Sequence, residues 1–180
     1  VKTNATLGGT IYGTDQVTIS NSIAAFPGSD VGTYNITTTQ TLTGAAAGNY
    51  QLLNPNAASV VKITPKILNI TGFTVSDKTY NGTSDAVVSN WGTVSSGLVS
   101  GEDLVLVTPA SATFSDKNAG QNKTVTASGY SLANGITGKA SNYQLASNLV
   151  TTTATINPLT LTVTGASGVS KTYDGSDVAT

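Results

Sequence analysis

The phrase KTYNGT at residues 78–83 returns as KTYDGS at 171–176, a step of 93 positions. Two more landmarks move by the same step: NYQL at 49–52 recurs at 142–145, and Ile63 and Pro65 answer to Ile156 and Pro158. A second set moves by 88, matching Gly13, Asp15, Val17, Phe26 and Gly32 to Gly101, Asp103, Val105, Phe114 and Gly120. The five extra residues of the second copy fall between Gly120 and Asn142. So many matches in one order make the chain a tandem repeat, which confines it to folds that lay down one unit repeatedly.

The period also suggests an organisation. Tyr80 lies 21 residues before Gly101, and joining Thr180 to Val1 would put Tyr173 20 residues before Gly13. The 180 residues therefore read as a slice of a longer array. Residues 1–65 are expected to be the C-terminal portion of a first repeat, with its opening strands missing. A complete repeat is expected over 66–158, and the opening strands of a following repeat over 159–180.

Within each repeat the pattern is that of strands. Leu159, Leu161 and Val163 alternate with Thr160, Thr162 and Thr164, and Val150, Thr152, Ala154 and Ile156 alternate with Thr151, Thr153 and Thr155. Period-two alternation suits strands with one buried and one wet face. No helical period is sustained over a dozen residues, and LTGAAAG is expected to form at most a short helical turn. Asn81-Gly82 and Asp174-Gly175 are turn signals, because these residues tolerate positive φ. Around eight short strands per repeat predict an all-β chain of tandem immunoglobulin-like β-sandwiches stacked end to end in a rod. The segments around Pro65 and Pro158 place one proline between strands with almost no linker, so each joint is expected to be stiff.

Composition removes most chemistry. Only 9% of residues are charged, the net charge is −1, and there is no Cys, His, Met or Arg. Phosphate clamping and nucleic-acid binding need clustered Lys and Arg, so neither is expected. No apolar run is long enough to span a bilayer, and no cofactor is expected. Disulfides and thiolate metal sites are excluded. Catalysis lacks its usual groups. Glu102 and Asp103 form the one suggestive carboxylate pair, but neighbours on an extended strand face opposite ways. SDKNAG and DGSD, with Asp174 and Asp177, offer oxygen ligands of the kind calcium takes, yet neither completes a ligand loop; Asx turns explain them.

Lys78 and Lys171 could serve in Lys–Asn isopeptide bonds, against the simpler reading of a stem along the sheet with a solvated head. Tyr80 and Tyr173 precede the turns, and Tyr50 and Tyr143 follow Asn in NYQL; all four read as anchors with a packed ring and a bonded hydroxyl. Trp91 is the one candidate sugar platform, read here as core or rim. Sequons at Asn4, Asn35, Asn69, Asn81 and Asn122 are about as numerous as composition alone would produce. Thr rows such as LTLTVT could contact ice or polysaccharide, and are read as ordinary solvent faces of strands.

The motifs KTYNGT, SGEDLVL, ATFSDKNAGQNKTV, GKASNYQL and ATINP, in this order, resemble the YDG-type repeat of large bacterial surface adhesins of the filamentous-haemagglutinin-like kind. VGTYNITTTQTLTGAAAGNYQLL leans toward the related MBG repeat. The resemblance covers essentially the whole chain. Asn81 stands where the namesake Asp is expected, while Asp174 keeps it.

The resemblance implies secreted, cell-surface proteins built as arrays and used in adhesion, aggregation or biofilm, with no catalytic residues. The signature residues are then structural: Lys78, Tyr80, Asn81, Gly82, Lys171, Tyr173, Asp174, Gly175, Tyr50 and Tyr143. The expected partner is the protein itself, through adjacent repeats or neighbouring copies, by strand complementation or by head-to-tail continuation, with surface polysaccharide second. A glycan- or host-surface-binding module is the competing reading.

Overall fold

A computed structural model describes residues 5–22, 25–94 and 96–178. The sequon at Asn4 and the extreme ends of the outer repeat segments lie outside the described residues. The chain is all-β: thirteen strands and two 3-10 turns, with no α-helix among the described residues. By contacts it divides into two units. One contains the chain up to Thr71, with Thr93–Val107 and Ser131–Asn148; the other contains Gly72–Gly92, Thr108–Tyr130 and the chain from Leu149 on.

In the first unit, β1 (Thr18–Asn21), β2 (Gly32–Thr43) and β3 (Asn56–Ile63) form an antiparallel sheet in the order β1-β2-β3. The twelve residues of β2 alternate strictly, burying Ile36, Thr38 and Gln40 on one face. The two polar members are satisfied: Gln40 Nε2 donates to Thr38 Oγ1 (2.9 Å), and Thr38 Oγ1 to the Ala57 carbonyl (3.3 Å). Such pairing is what makes a polar residue tolerable on a buried face.

Two residues, Thr64 and Pro65, separate β3 from β4 (Lys66–Leu68). β4 pairs in parallel with β12 (Tyr143–Leu145), in the register Tyr143↔Lys66, Gln144↔Ile67 and Leu145↔Leu68. β8 (Leu104–Val107) pairs with β11 (Ser131–Asn134). Leu68, Val94 and Tyr143 form the core here, flanked by Ile70, Leu98, Leu104, Leu106, Leu132 and Leu145.

The second unit is built on a four-stranded sheet in the order β6-β13-β10-β9: β6 (Lys78–Thr79), β13 (Leu149–Asn157), β10 (Gly120–Ser128) and β9 (Thr113–Phe114). β5 (Thr71–Val75) pairs with β7 (Val88–Thr93). Buried here are Phe73, Phe114, Val125, Ala127, Tyr130, Ala154 and Ile156. Trp91 is spent in packing. Its ring stacks on Phe73 at 6.2 Å and meets Tyr130 edge-on at 6.4 Å, while its carbonyl accepts the Tyr130 hydroxyl at 2.9 Å.

The two sequence copies use equivalent pairings. Gly32↔Ile63 in β2·β3 answers to Gly120↔Ile156 in β10·β13. A bulge follows between Gly120 and Lys123, with Asn122 at φ 52°, so one inserted residue is absorbed inside the strand. The 3-10 turns, Ala47–Asn49 and Ala140–Asn142, are likewise 93 residues apart.

The segment 159–178 differs from the sequence expectation: it forms no strand and is exposed throughout, despite its clean alternation. Alternation specifies which face would be buried; it does not supply a neighbouring strand.

Candidate functional site

The repeated phrase is a lysine-centred turn. Lys78 Nζ donates to Asn81 Oδ1 (3.1 Å), the Thr83 carbonyl (2.8 Å) and the Asp85 carbonyl (2.9 Å). Asn81 Oδ1 also accepts the Thr83 N–H at 3.2 Å, an Asx turn, and Gly82 takes φ 82° to close it. In the tail, Lys171 Nζ donates to Asp174 Oδ1 (2.9 Å), Ser176 Oγ (2.9 Å) and the Val178 carbonyl (2.8 Å), with Gly175 at φ 75°. Asp174 Oδ1 accepts the Ser176 N–H at 3.0 Å. Asn and Asp are interchangeable here because each supplies one acceptor oxygen at the same place. Lys171 additionally holds the Asp174 carboxyl below the usual carboxylate range.

The two copies differ in their surroundings. Lys78 Nζ lies 5.5 Å from the Phe114 ring centroid, and the Tyr80 N–H donates to the Asn157 carbonyl at 2.8 Å. Tyr173, the counterpart of Tyr80, is 93% exposed. The turn is thus built from local bonds alone and does not require the sheet beside it.

The NYQL tyrosines are loop clamps. The Tyr143 hydroxyl donates to Glu102 Oε2 (2.5 Å) and accepts the Val99 N–H (3.0 Å). The Tyr50 hydroxyl donates to Asp15 Oδ2 (2.8 Å) and accepts the Tyr12 N–H (3.0 Å). Both copies therefore tie the same loop to the same phenol, one through Glu and the other through Asp. The bond to Glu102 pushes the Tyr143 phenol above its ordinary value, since the neutral form is the donor.

Glu102 and Asp103 do not converge. Asp103 turns the other way and latches the loop at 136–138, accepting the Thr137 hydroxyl (2.6 Å) and the N–H groups of Thr137 (2.7 Å) and Ile136 (2.9 Å). These bonds, the Thr137 hydroxyl first, hold its carboxyl well below the ordinary carboxylate range. Asp116 forms an Asx turn with the Asn118 N–H (2.8 Å) and pairs with Lys123. Among the described residues no group of three or more acidic side chains gathers to hold a metal ion.

One cluster escaped sequence reading. The Val31 N–H donates to Asn142 Oδ1 (2.8 Å), Asn142 Nδ2 to Asp30 Oδ1 (2.8 Å), and Lys139 Nζ to Asp30 Oδ2 (2.6 Å). The Asn142 bond, then the Lys139 bond, lowers the Asp30 carboxyl from its ordinary value. This clamp joins residues of the first sequence copy to residues of the second. Its only signal in the sequence is Asn142, the first letter of NYQL.

Comparison with curated proteins found no match, and comparison with solved structures found none. The family model of the YDG domain matches residues 1–58 and 64–154. That match spans both sequence copies, with the clamp tyrosines Tyr50 and Tyr143 and the Lys78 turn inside it, and the chain belongs to the YDG domain family.

Proposed function

We propose that the chain is a structural and adhesive stalk module of an extracellular repeat protein or fibre of a bacterial surface, serving cell adhesion, aggregation or biofilm formation. In this reading the repeats are immunoglobulin-like sandwiches stacked in a rod, and terminal strands complete a domain across each repeat boundary. The joint between copies carries the reading. Only Thr64 and Pro65 separate β3 from β4, and the Asp30–Asn142–Lys139 clamp braces the same boundary. A proline-containing link of two residues transmits load where a Gly/Ser tether would go slack. Weak polar contacts repeated along such an array add up through multivalency.

The test displays the chain on a non-aggregating bacterium through an outer-surface anchor and follows settling and surface attachment. Aggregation above the empty-anchor control, without added glycan, is expected. Specific glycan-array binding with no self-aggregation would instead favour a ligand-binding module.

A further inference from the structure

The middle copy shows what its opening strands bind. β4 lies parallel to β12, with the Ala146 N–H donating to the Leu68 carbonyl at 2.8 Å. β6 lies parallel to β13 in the register Ile156↔Lys78 and Asn157↔Thr79. Moving each position by 93 residues names the counterparts. The donors become Leu159–Leu161 and Lys171–Thr172; the acceptors become Tyr50–Leu52 and Ile63–Thr64.

Both sets are present in this chain without those pairings. Leu161, the counterpart of fully buried Leu68, is 85% exposed, and Val163 is 90% exposed. Tyr50–Leu53 belongs to no strand, although its 3-10 turn and its tyrosine clamp are already formed.

A third observation gives the side of the joint. By the 88-residue step, Asp30 and Val31 correspond to Asn118 and Ala119. Asn118 and Ala119 line an open pocket of about 470 Å³ with Tyr80, Pro158, Leu159 and Leu161. The corresponding pocket at Asp30, Val31 and Lys66 is about 260 Å³, and Asn142 and Tyr143 form part of its wall. The counterpart of Asn142 is Asn49.

We propose that the tail of one copy docks on the head of a second copy of this chain, adding Leu159–Leu161 in parallel to Tyr50–Leu52. Lys171–Thr172 then lies along Ile63–Thr64, and Asn49 of the second copy meets Asn118 and Ala119. Donor and acceptor are different surfaces, so the contact is heterologous and propagates head to tail. This inference rests on the stacked-repeat reading and adds the partner and the register.

Because the chain has no cysteine, single cysteines report the register directly. Gln51 and Thr160 are the counterparts of Gln144 and Ile67, which are register partners with exposed side chains. Strand neighbours lie within disulfide reach. The experiment mixes a Gln51→Cys chain with a Thr160→Cys chain, oxidises mildly, and reads heterodimer on a non-reducing gel, with Gln51→Cys plus Thr162→Cys as the out-of-register control. Light scattering across concentration accompanies it, with Leu161→Asp as the pairing-deficient variant.

Heterodimer at 51/160 at least tenfold above 51/162, and mass growth abolished by Leu161→Asp, is the expected result. No heterodimer, equal yields in both registers, or a concentration-independent monomer would overturn the proposal. Aggregation retained in the display assay alongside such a failure would leave the stalk reading standing and reject only this pairing.

Discussion

Replacing Leu68 with alanine and, separately, Leu161 with alanine removes one side chain from one repeat position in two surroundings. Leu68 is fully buried against Val94 and Tyr143, with Leu104, Leu106, Leu132 and Leu145 packed around them. Truncating it loses the transfer free energy of three carbons and leaves a void, because neighbours held on strands collapse only partly. Leu→Ala at such a site costs about 2–5 kcal/mol, and a fully enclosed position belongs near the middle, about 3 kcal/mol. For a chain of this size that is a fall of about 6–12 °C in Tm.

Leu161 is 85% exposed and gives up almost nothing on truncation, less than about 0.5 kcal/mol. Urea unfolding followed by circular dichroism, at a concentration too low for self-association, measures both. Equal losses at the two positions, or less than about 1 kcal/mol at Leu68, would refute the assignment of Leu68 to a core that Leu161 lacks.

Four further outcomes are expected at the site. Lys78→Met keeps the aliphatic stem but strips donors from Asn81 Oδ1 and the Thr83 and Asp85 carbonyls, costing about 1–2 kcal/mol in chemical denaturation. Lys171→Met should shift the NMR resonances of residues 174–178 while leaving global stability unchanged. Tyr143→Phe removes the hydroxyl shared by Glu102 and Val99, with a loss of about 1 kcal/mol and faster hydrogen exchange at the Val99 amide. The Asp103 carboxyl is depressed when folded, so its contribution is complete above its ordinary pKa of 3.8 and is lost progressively as pH falls from there through its lower folded-state value. Acid titration should therefore loosen the 136–138 loop, seen as rising exchange at Ile136 and Thr137, and Asp103→Asn should remove that pH dependence.

Much of the local chemistry was legible in the sequence, because it depends on neighbours within a few positions. Asn81-Gly82 and Asp174-Gly175 dictated turns, Asp116 and Asp174 formed the expected Asx turns, and LTGAAAG yielded only the turn at Ala47–Asn49. Glu102 and Asp103 lie in the loop just before β8 rather than on a strand, and each goes to its own partner. Long-range partners were illegible. The lysine-centred turn explains why Lys must stand three residues before Asn or Asp, yet a sequence does not show where an ammonium points. Asp30 carried no signal, since its partners Lys139 and Asn142 are more than a hundred residues away. Alternation at Leu159–Thr164 predicted a strand, and the segment forms none, because alternation names a face to bury without supplying a neighbouring strand.

Electron microscopy of the purified chain over a rising concentration series tests the central claim most directly. The account predicts single particles giving way to unbranched linear strings whose length grows with concentration and which vanish when residues 159–180 are deleted. Particles that stay single at every concentration, or strings that persist without that segment, would contradict it.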